Sequence, residues 1–215
     1  MKRFILLILV IGITASLFAQ TGVPDYRFAS GNWGFIGNRL YQNDANARLA
    51  KVNFAVPQRG TMYYEFNARY EGGGEDGHGG FGLHVFMDNA YNAESWGAGR
   101  SYLLWLNYDE NPTDSNIPRY LSGQVYKSIN NSQMELVQSI SLNDYLQVFL
   151  ASMNSGIPFK ISVNGTSGEV RVYDPSDPAM ESYFYFYINT DDIPSQGNWV
   201  ALRTNGVKLS FTMGL

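Results

Sequence analysis

Residues 159–178 read FKISVNGTSGEVRVYDPSDP, and their pattern decides the fold class. Phe159, Ile161 and Val163 alternate with Lys160, Ser162 and Asn164. Successive side chains of a strand face opposite sides, so this is a strand with one buried and one wet face. Asn164-Gly165 predicts a tight hairpin turn, because both residues tolerate positive φ. The return strand alternates again, with Val170 and Val172 set against Glu169, Arg171 and Tyr173. Asp174-Pro175 ends it, since proline donates no ladder hydrogen bond.

The same alternation recurs along the chain. TMYYEFNARY (residues 61–70) sets Met62, Tyr64, Phe66 and Ala68 against Thr61, Tyr63, Glu65, Asn67 and Arg69. FGLHVFMD (81–88) sets Phe81, Leu83, Val85 and Met87 on one side. NRLYQ, ARLAKVNFAV, SYLLWLNYD, RYLSGQVYKSI, MELVQSI, SYFYFYIN, WVALRTN and VKLSFTM complete the strand candidates. SLNDYLQVFLASM (141–153) reads as a short turn followed by a strand from Leu146. DENPTDSNIP (109–118) reads as a surface loop and EGGGEDGHGG (71–80) as a flexible one. About eleven strands cannot stay one open sheet, so they predict two packed antiparallel sheets or a barrel.

The first twenty residues, MKRFILLILVIGITASLFAQ, read differently. Lys2 and Arg3 precede an apolar run that ends at Ala19, which predicts a signal peptide over residues 1–19 and export to the periplasm or medium. The run is short for a membrane span, which needs about 20 apolar residues. Residues 20–215 then form a single β-sandwich domain with no membrane span. Without Lys2 and Arg3, 13 basic residues face 19 acidic ones, which argues against nucleic acid as a partner. The chain has no cysteine, hence no disulfide framework and no lipid-attachment cysteine. Its 15% aromatics and 16% charged residues suit an all-β core.

The order of these signals resembles the concanavalin A-like lectin/glucanase superfamily, including laminin-G-like domains. Trp33 and GNRLYQ come early, the Val163-Asn164-Gly165 hairpin lies mid-chain, and GNWVALRTNGVKLSF (197–211) closes it. The resemblance implies an all-β jelly roll of two antiparallel sheets with a concave face that often holds a ligand. The glucanases of that superfamily carry an E-x-D-x-x-E strand, which places nucleophile and acid on one face. This sequence has no such strand: Glu65 is followed on its own face by Asn67 and Arg69.

Other chemistry is sparse. The two histidines, His78 and His84, do not make a zinc site without further ligands. No G-x-S-x-G motif and no phosphate-cradling loop is present. Glu75 and Asp76 in the glycine-rich loop are candidates for a calcium loop with backbone oxygens. The aromatics are more informative. Tyr183, Tyr185 and Tyr187 share one face of their strand, with Phe184, Phe186 and Ile188 on the other. Tyr63, Glu65, Asn67, Arg69, His84 and Trp105 are expected to join that tyrosine face as a ligand surface, and Trp96 to cap a pocket or plug the sandwich end. Flat rings beside hydrogen-bonding groups suit sugars and protein interfaces alike, and cross-strand ring pairing supplies a purely structural use for them.

Three function classes follow. The first is an exported, non-catalytic module that recognises a glycan or glycosylated polymer of the cell envelope. The second is a structural protein that packs on a filament, as the outer-layer (sheath) proteins of periplasmic flagella do. The third, a glycan-active hydrolase or lyase, lacks the paired acid and base it needs.

Overall fold

The computed structural model describes residues 24–177, 179, 181–192 and 197–214. The expected signal peptide, residues 1–19, lies outside the described residues. Fourteen strands run among the described residues: β1 (Tyr26–Ser30), β2 (Trp33–Ile36), β3 (Arg39–Gln42), β4 (Ala50–Ala55), β5 (Thr61–Gly73), β6 (His78–Met87), β7 (Ser101–Asp109), β8 (Tyr120–Ser128), β9 (Met134–Ser141), β10 (Ile157–Asn164), β11 (Glu169–Tyr173), β12 (Tyr183–Tyr187), β13 (Trp199–Asn205) and β14 (Val207–Gly214). One helix, α1 (Leu146–Met153), joins β9 to β10. The strands form two seven-stranded antiparallel sheets. One has the order β1-β4-β13-β6-β7-β8-β9, the other β12-β11-β10-β5-β14-β3-β2. This is the expected all-β sandwich.

The core lies between the sheets and follows the alternation. Tyr64, Phe66 and Ala68 of β5 point inward with Phe159, Ile161 and Val163 of β10, toward Phe81, Leu83 and Val85 of β6. Phe66 stacks on Phe159 at 5.4 Å between ring centroids, and Phe81 meets Phe159 edge-on at 5.2 Å. Each such aromatic pair adds about 1 kcal/mol beyond its buried area.

Four expectations need correction. The first concerns the opening hairpin, which pairs Val163 with Val170 as expected but carries a longer turn. Asn164 Oδ1 accepts from the backbone of Thr166 and Ser167, and the positive φ falls on Gly168 (+75°) instead of Asn164-Gly165.

The second is the segment from Leu146, which is helical. It crosses from one sheet to the other, so no strand lies beside it to accept a ladder. A helix satisfies its backbone internally. Asn143 anchors the preceding 3-10 turn by donating to the Arg119 carbonyl and accepting from Leu121 N–H.

The third is the glycine-rich stretch, which is mostly strand: Glu71–Gly73 end β5, His78–Gly80 begin β6, and Gly77 N–H closes a turn on the Gly74 carbonyl.

The fourth is Met87, which does not share a face with Phe81, Leu83 and Val85. Phe86 takes φ +60° and the pairing with β13 slips there. The slip sends Phe86 into the inter-sheet core and turns Met87 outward onto Ala98 and Ala201. Gln58, itself buried, holds the bulge: its Oε1 accepts from Phe86 N–H at 2.7 Å and from the Tyr64 hydroxyl at 2.9 Å, and its Nε2 donates to the Trp199 carbonyl.

Candidate functional site

The outer face of β5, β10, β11 and β12 carries the tyrosines. Strand register sets them in rows. Tyr63 stands opposite Ser162, Ser162 opposite Arg171, and Arg171 opposite Tyr185. A second row holds Glu65 opposite Lys160, and Tyr173 opposite Tyr183. A third pairs Glu169 with Tyr187. Tyr63, Tyr183, Tyr185 and Tyr187 are 41 to 60% exposed, so their rings are open to a ligand. Ser162 is small and buried between Tyr63 and Arg171 in the first row.

Cations stand between the rings. The Lys160 ammonium lies 5.0 Å from the Tyr173 centroid, 5.8 Å from that of Tyr63 and 3.8 Å from Glu65 Oε1. The Arg171 guanidinium lies 4.6 Å from the Tyr183 centroid and bonds Glu169 Oε1 at 2.5 Å. That bond raises the pKa of Arg171. Three strand spacings separate Tyr63 from Tyr185, about 14 Å.

Asn67 and Arg69 lie farther along the same face, in a separate network. Arg39 donates to Asn67 Oδ1 and Ser210 Oγ, while Arg69 bonds Glu71 at 2.7 Å and the Tyr41 hydroxyl at 3.1 Å. The bond to Glu71 raises the pKa of Arg69. Burial, then the nearby Arg69 charge, lowers that of Arg39.

His84 and Trp105 do not join the tyrosine face. Both point outward from the other sheet, and both are buried there. His84 Nδ1 meets Ser101 Oγ at 3.1 Å, and its Nε2 has no hydrogen-bond partner. Burial first, then the Arg203 and Lys51 charges, drives its pKa well down, so it is neutral. Residues 88–100 fold over this sheet. Lys51 Nζ donates to the Ser95 carbonyl, Ser95 Oγ and the Gly97 carbonyl, and Arg203 Nη1 donates to the Trp96 carbonyl. The Arg203 guanidinium lies 4.9 Å from the Trp96 ring and 5.4 Å from the Trp105 ring. Trp96 thus covers Arg203 on the sheet face and does not plug a sandwich end.

The glycines of β6 make this layer possible. A Cβ on Gly80 would stand 2.5 Å from Trp105 Cζ2, and one on Gly82 2.0 Å from the Leu104 carbonyl oxygen. Neither Lys51 nor Arg203 has a carboxylate ion-pair partner among the described residues. Burial, and then the Arg203 charge, lowers the Lys51 pKa to about 8, and burial lowers that of Arg203 to about 10. Lys51, Gln58 and Arg203 escape the sequence reading as working residues. The outward position of Arg203 in WVALRTN was the available signal.

Of the two calcium-loop candidates, Asp76 is engaged by a cation: Arg48 holds it at 2.7 Å, which lowers its pKa. Among the described residues no group of three or more His, Cys, Asp or Glu side chains converges to hold a metal. On the tyrosine face, Glu65, Glu71 and Glu169 each have a cation beside them.

No family model matches the sequence, and no curated protein matches it in sequence. Solved structures match in shape. The carbohydrate-binding module CBM66 from Bacillus subtilis superposes with a TM-score of 0.56 at 10% identity, over 88% of this chain and 93% of that one. Peanut lectin in complex with a nonapeptide gives 0.52 at 12% identity, over 90% and 92%. A legume lectin-like domain from Entamoeba histolytica gives 0.50 at 13% identity, over 87% and 86%. At these identities the likeness shows the fold, which is the concanavalin A-like jelly-roll sandwich.

Proposed function

We propose that the chain is an exported, non-catalytic glycan-binding β-sandwich of the cell envelope, and that it binds through the outer face of β5, β10, β11 and β12. One observation carries the reading: four exposed tyrosine rings stand in register with Lys160, Arg171, Glu65 and Glu169, two cations against two carboxylates. Rings stack on the apolar faces of sugars, and the balanced charges between them bond hydroxyls without selecting an acid. The matched folds that include a carbohydrate-binding module and lectins support the reading. Glu65 and Glu169 each stand beside a cation, which favours a binding role over the acid and base work of hydrolysis or lysis.

A second reading is favoured by the composition of the same face. Tyrosine and arginine are the residues that dominate protein interfaces. A protein polymer, such as a periplasmic flagellar filament with this chain as its outer layer, is the partner on that reading.

The test is a pull-down of the tagged mature protein from its own cell envelope. Glycan retained and released by free sugar supports the first reading. Filament subunits recovered and unaffected by free sugar support the second and contradict the first.

A further inference from the structure

Two clefts lie at the end of the sandwich where β5 turns into β6; none of the four exposed tyrosines lines them, and Tyr173 is the one ring of the tyrosine face that borders the second. Helix α1 lies at that end, and its residues line two cavities. One, of about 330 Å3, is lined by Phe149, Leu150 and Met153 together with Phe81, Leu106 and Val207. The other, of about 240 Å3, is lined by Val148 and Phe149 together with Leu106, Phe159, Val172 and Phe184. Leu106, Leu121 and Phe149 belong to both. A deeper void of about 60 Å3 shares Phe81 and Leu106 with the first and Phe159 and Phe184 with the second. The three spaces adjoin along these shared walls, and clefts of this size lined mostly by apolar side chains are where small molecules bind.

The helix points the same way. Its sequence, LQVFLASM, has no charged residue, and only Met153 is buried. Val148 and Leu150 are 55% and 46% exposed, one beside each cavity. An eight-residue helix does not hold itself in water and depends on what it packs against. Here Met153 and Phe149 pack on the core, and Val148, Phe149 and Leu150 border the clefts.

We propose that these cavities bind one linear alkyl chain with an uncharged head group, with α1 as its lid. Core side chains, Phe81, Leu106 and Phe159 among them, line the clefts, and the two share Leu106, Leu121 and Phe149, which suits a slender apolar ligand long enough to reach from one to the other. Glu110 and His78 line the first cavity, with Asp109 4.0 Å from His78, and Asp174 lines the second; the acids outnumber the one histidine and disfavour an anionic head such as a carboxylate. Filling the space would bury the cavity-facing sides of Val148, Phe149 and Leu150 and fix the helix.

The probe is 1-decanol, read by thermal unfolding of the mature protein, with sodium decanoate as the charged comparison. Saturating decanol should raise the wild-type melting midpoint by about 5 °C and decanoate by less. Leu106→Trp, which fills the wall common to all three spaces, and the milder Leu121→Phe should each abolish the rise. A wild-type midpoint that decanol does not raise overturns the proposal. An equal rise in the folded filled variants overturns it too, because the alcohol then acts elsewhere. If Leu106→Trp does not fold, Leu121→Phe decides. Equal rises with decanol and decanoate overturn the head-group assignment.

Discussion

Arg171 stands opposite Tyr185 across β11 and β12, and its guanidinium reaches back to lie 4.6 Å from the centre of the Tyr183 ring. The cation thereby holds the exposed Tyr183 ring and stands beside Tyr185 on the neighbouring strand. Cation–ring contacts at exposed sites contribute about 0.5–1 kcal/mol. The more important consequence is preorganisation, because rings fixed before a ligand arrives need not be ordered by it.

Arg171→Ala is therefore expected to weaken glycan binding about tenfold with little change in melting midpoint. Arg171→Lys should recover only part of the loss, since an ammonium lacks the planar face that lies on a ring. Titration calorimetry beside thermal unfolding checks both.

Gln58 supports the positive φ of Phe86 with three hydrogen bonds. Gln58→Leu leaves buried donors without acceptors, and it should lower the free energy of unfolding by about 3 kcal/mol. Urea unfolding measures this, with Phe86→Leu as the companion that keeps the bulge and changes only packing.

Lys51 makes stability depend on pH. Its pKa is about 8 in the folded chain against an ordinary 10.5, with Arg203 opposing its charge and Glu94 favouring it. As pH rises through 8 the folded state releases this proton while the unfolded state keeps it, so the free energy of unfolding rises toward pH 10.5. The ceiling on the gain is about 3 kcal/mol. Tyr91, raised to about 12 by burial and by its bond to Asp88, works against it above pH 10. Denaturant melts from pH 7.5 to 10 should show the rise in wild type and not in Lys51→Met.

Gly82 gives Trp105 and Arg203 their floor. Gly82→Ala drives a methyl into the Leu104 carbonyl and should cost about 3 kcal/mol. The same change should increase the exposure of Trp105, read as a red shift of tryptophan fluorescence.

Much of the sandwich is legible in sequence because β5, β10 and β11 bury every second residue. Tyr64, Phe66 and Ala68 announce their side at once. Legibility fails where that physics does not apply. β1 and β2 escape because β1 is an edge strand with Tyr26 and Phe28 partly exposed, and β2 is only four residues long. The helix over LQVFLASM escapes because Val148 and Phe149 favour strands and only the crossing between sheets forbids one. Met87 is misplaced because a bulge shifts the period by one residue. For the site, alternation states which residues share a strand face but not which sheet a strand joins. Tyr63 and Tyr185 come together because β5, β10, β11 and β12 are neighbours. Trp105 and His84 have the same outward look in sequence and lie on the opposite face of the molecule.

The central claim is that the tyrosine rows bind glycan. The direct measurement is calorimetric titration of an envelope-derived oligosaccharide into wild type, Tyr63→Ala, Tyr185→Ala and, as a control on the other sheet, Trp96→Ala. Each tyrosine variant should lose about tenfold or more in affinity, and the control should lose none. Unchanged affinity in Tyr63→Ala and Tyr185→Ala, or a loss confined to Trp96→Ala, would contradict it.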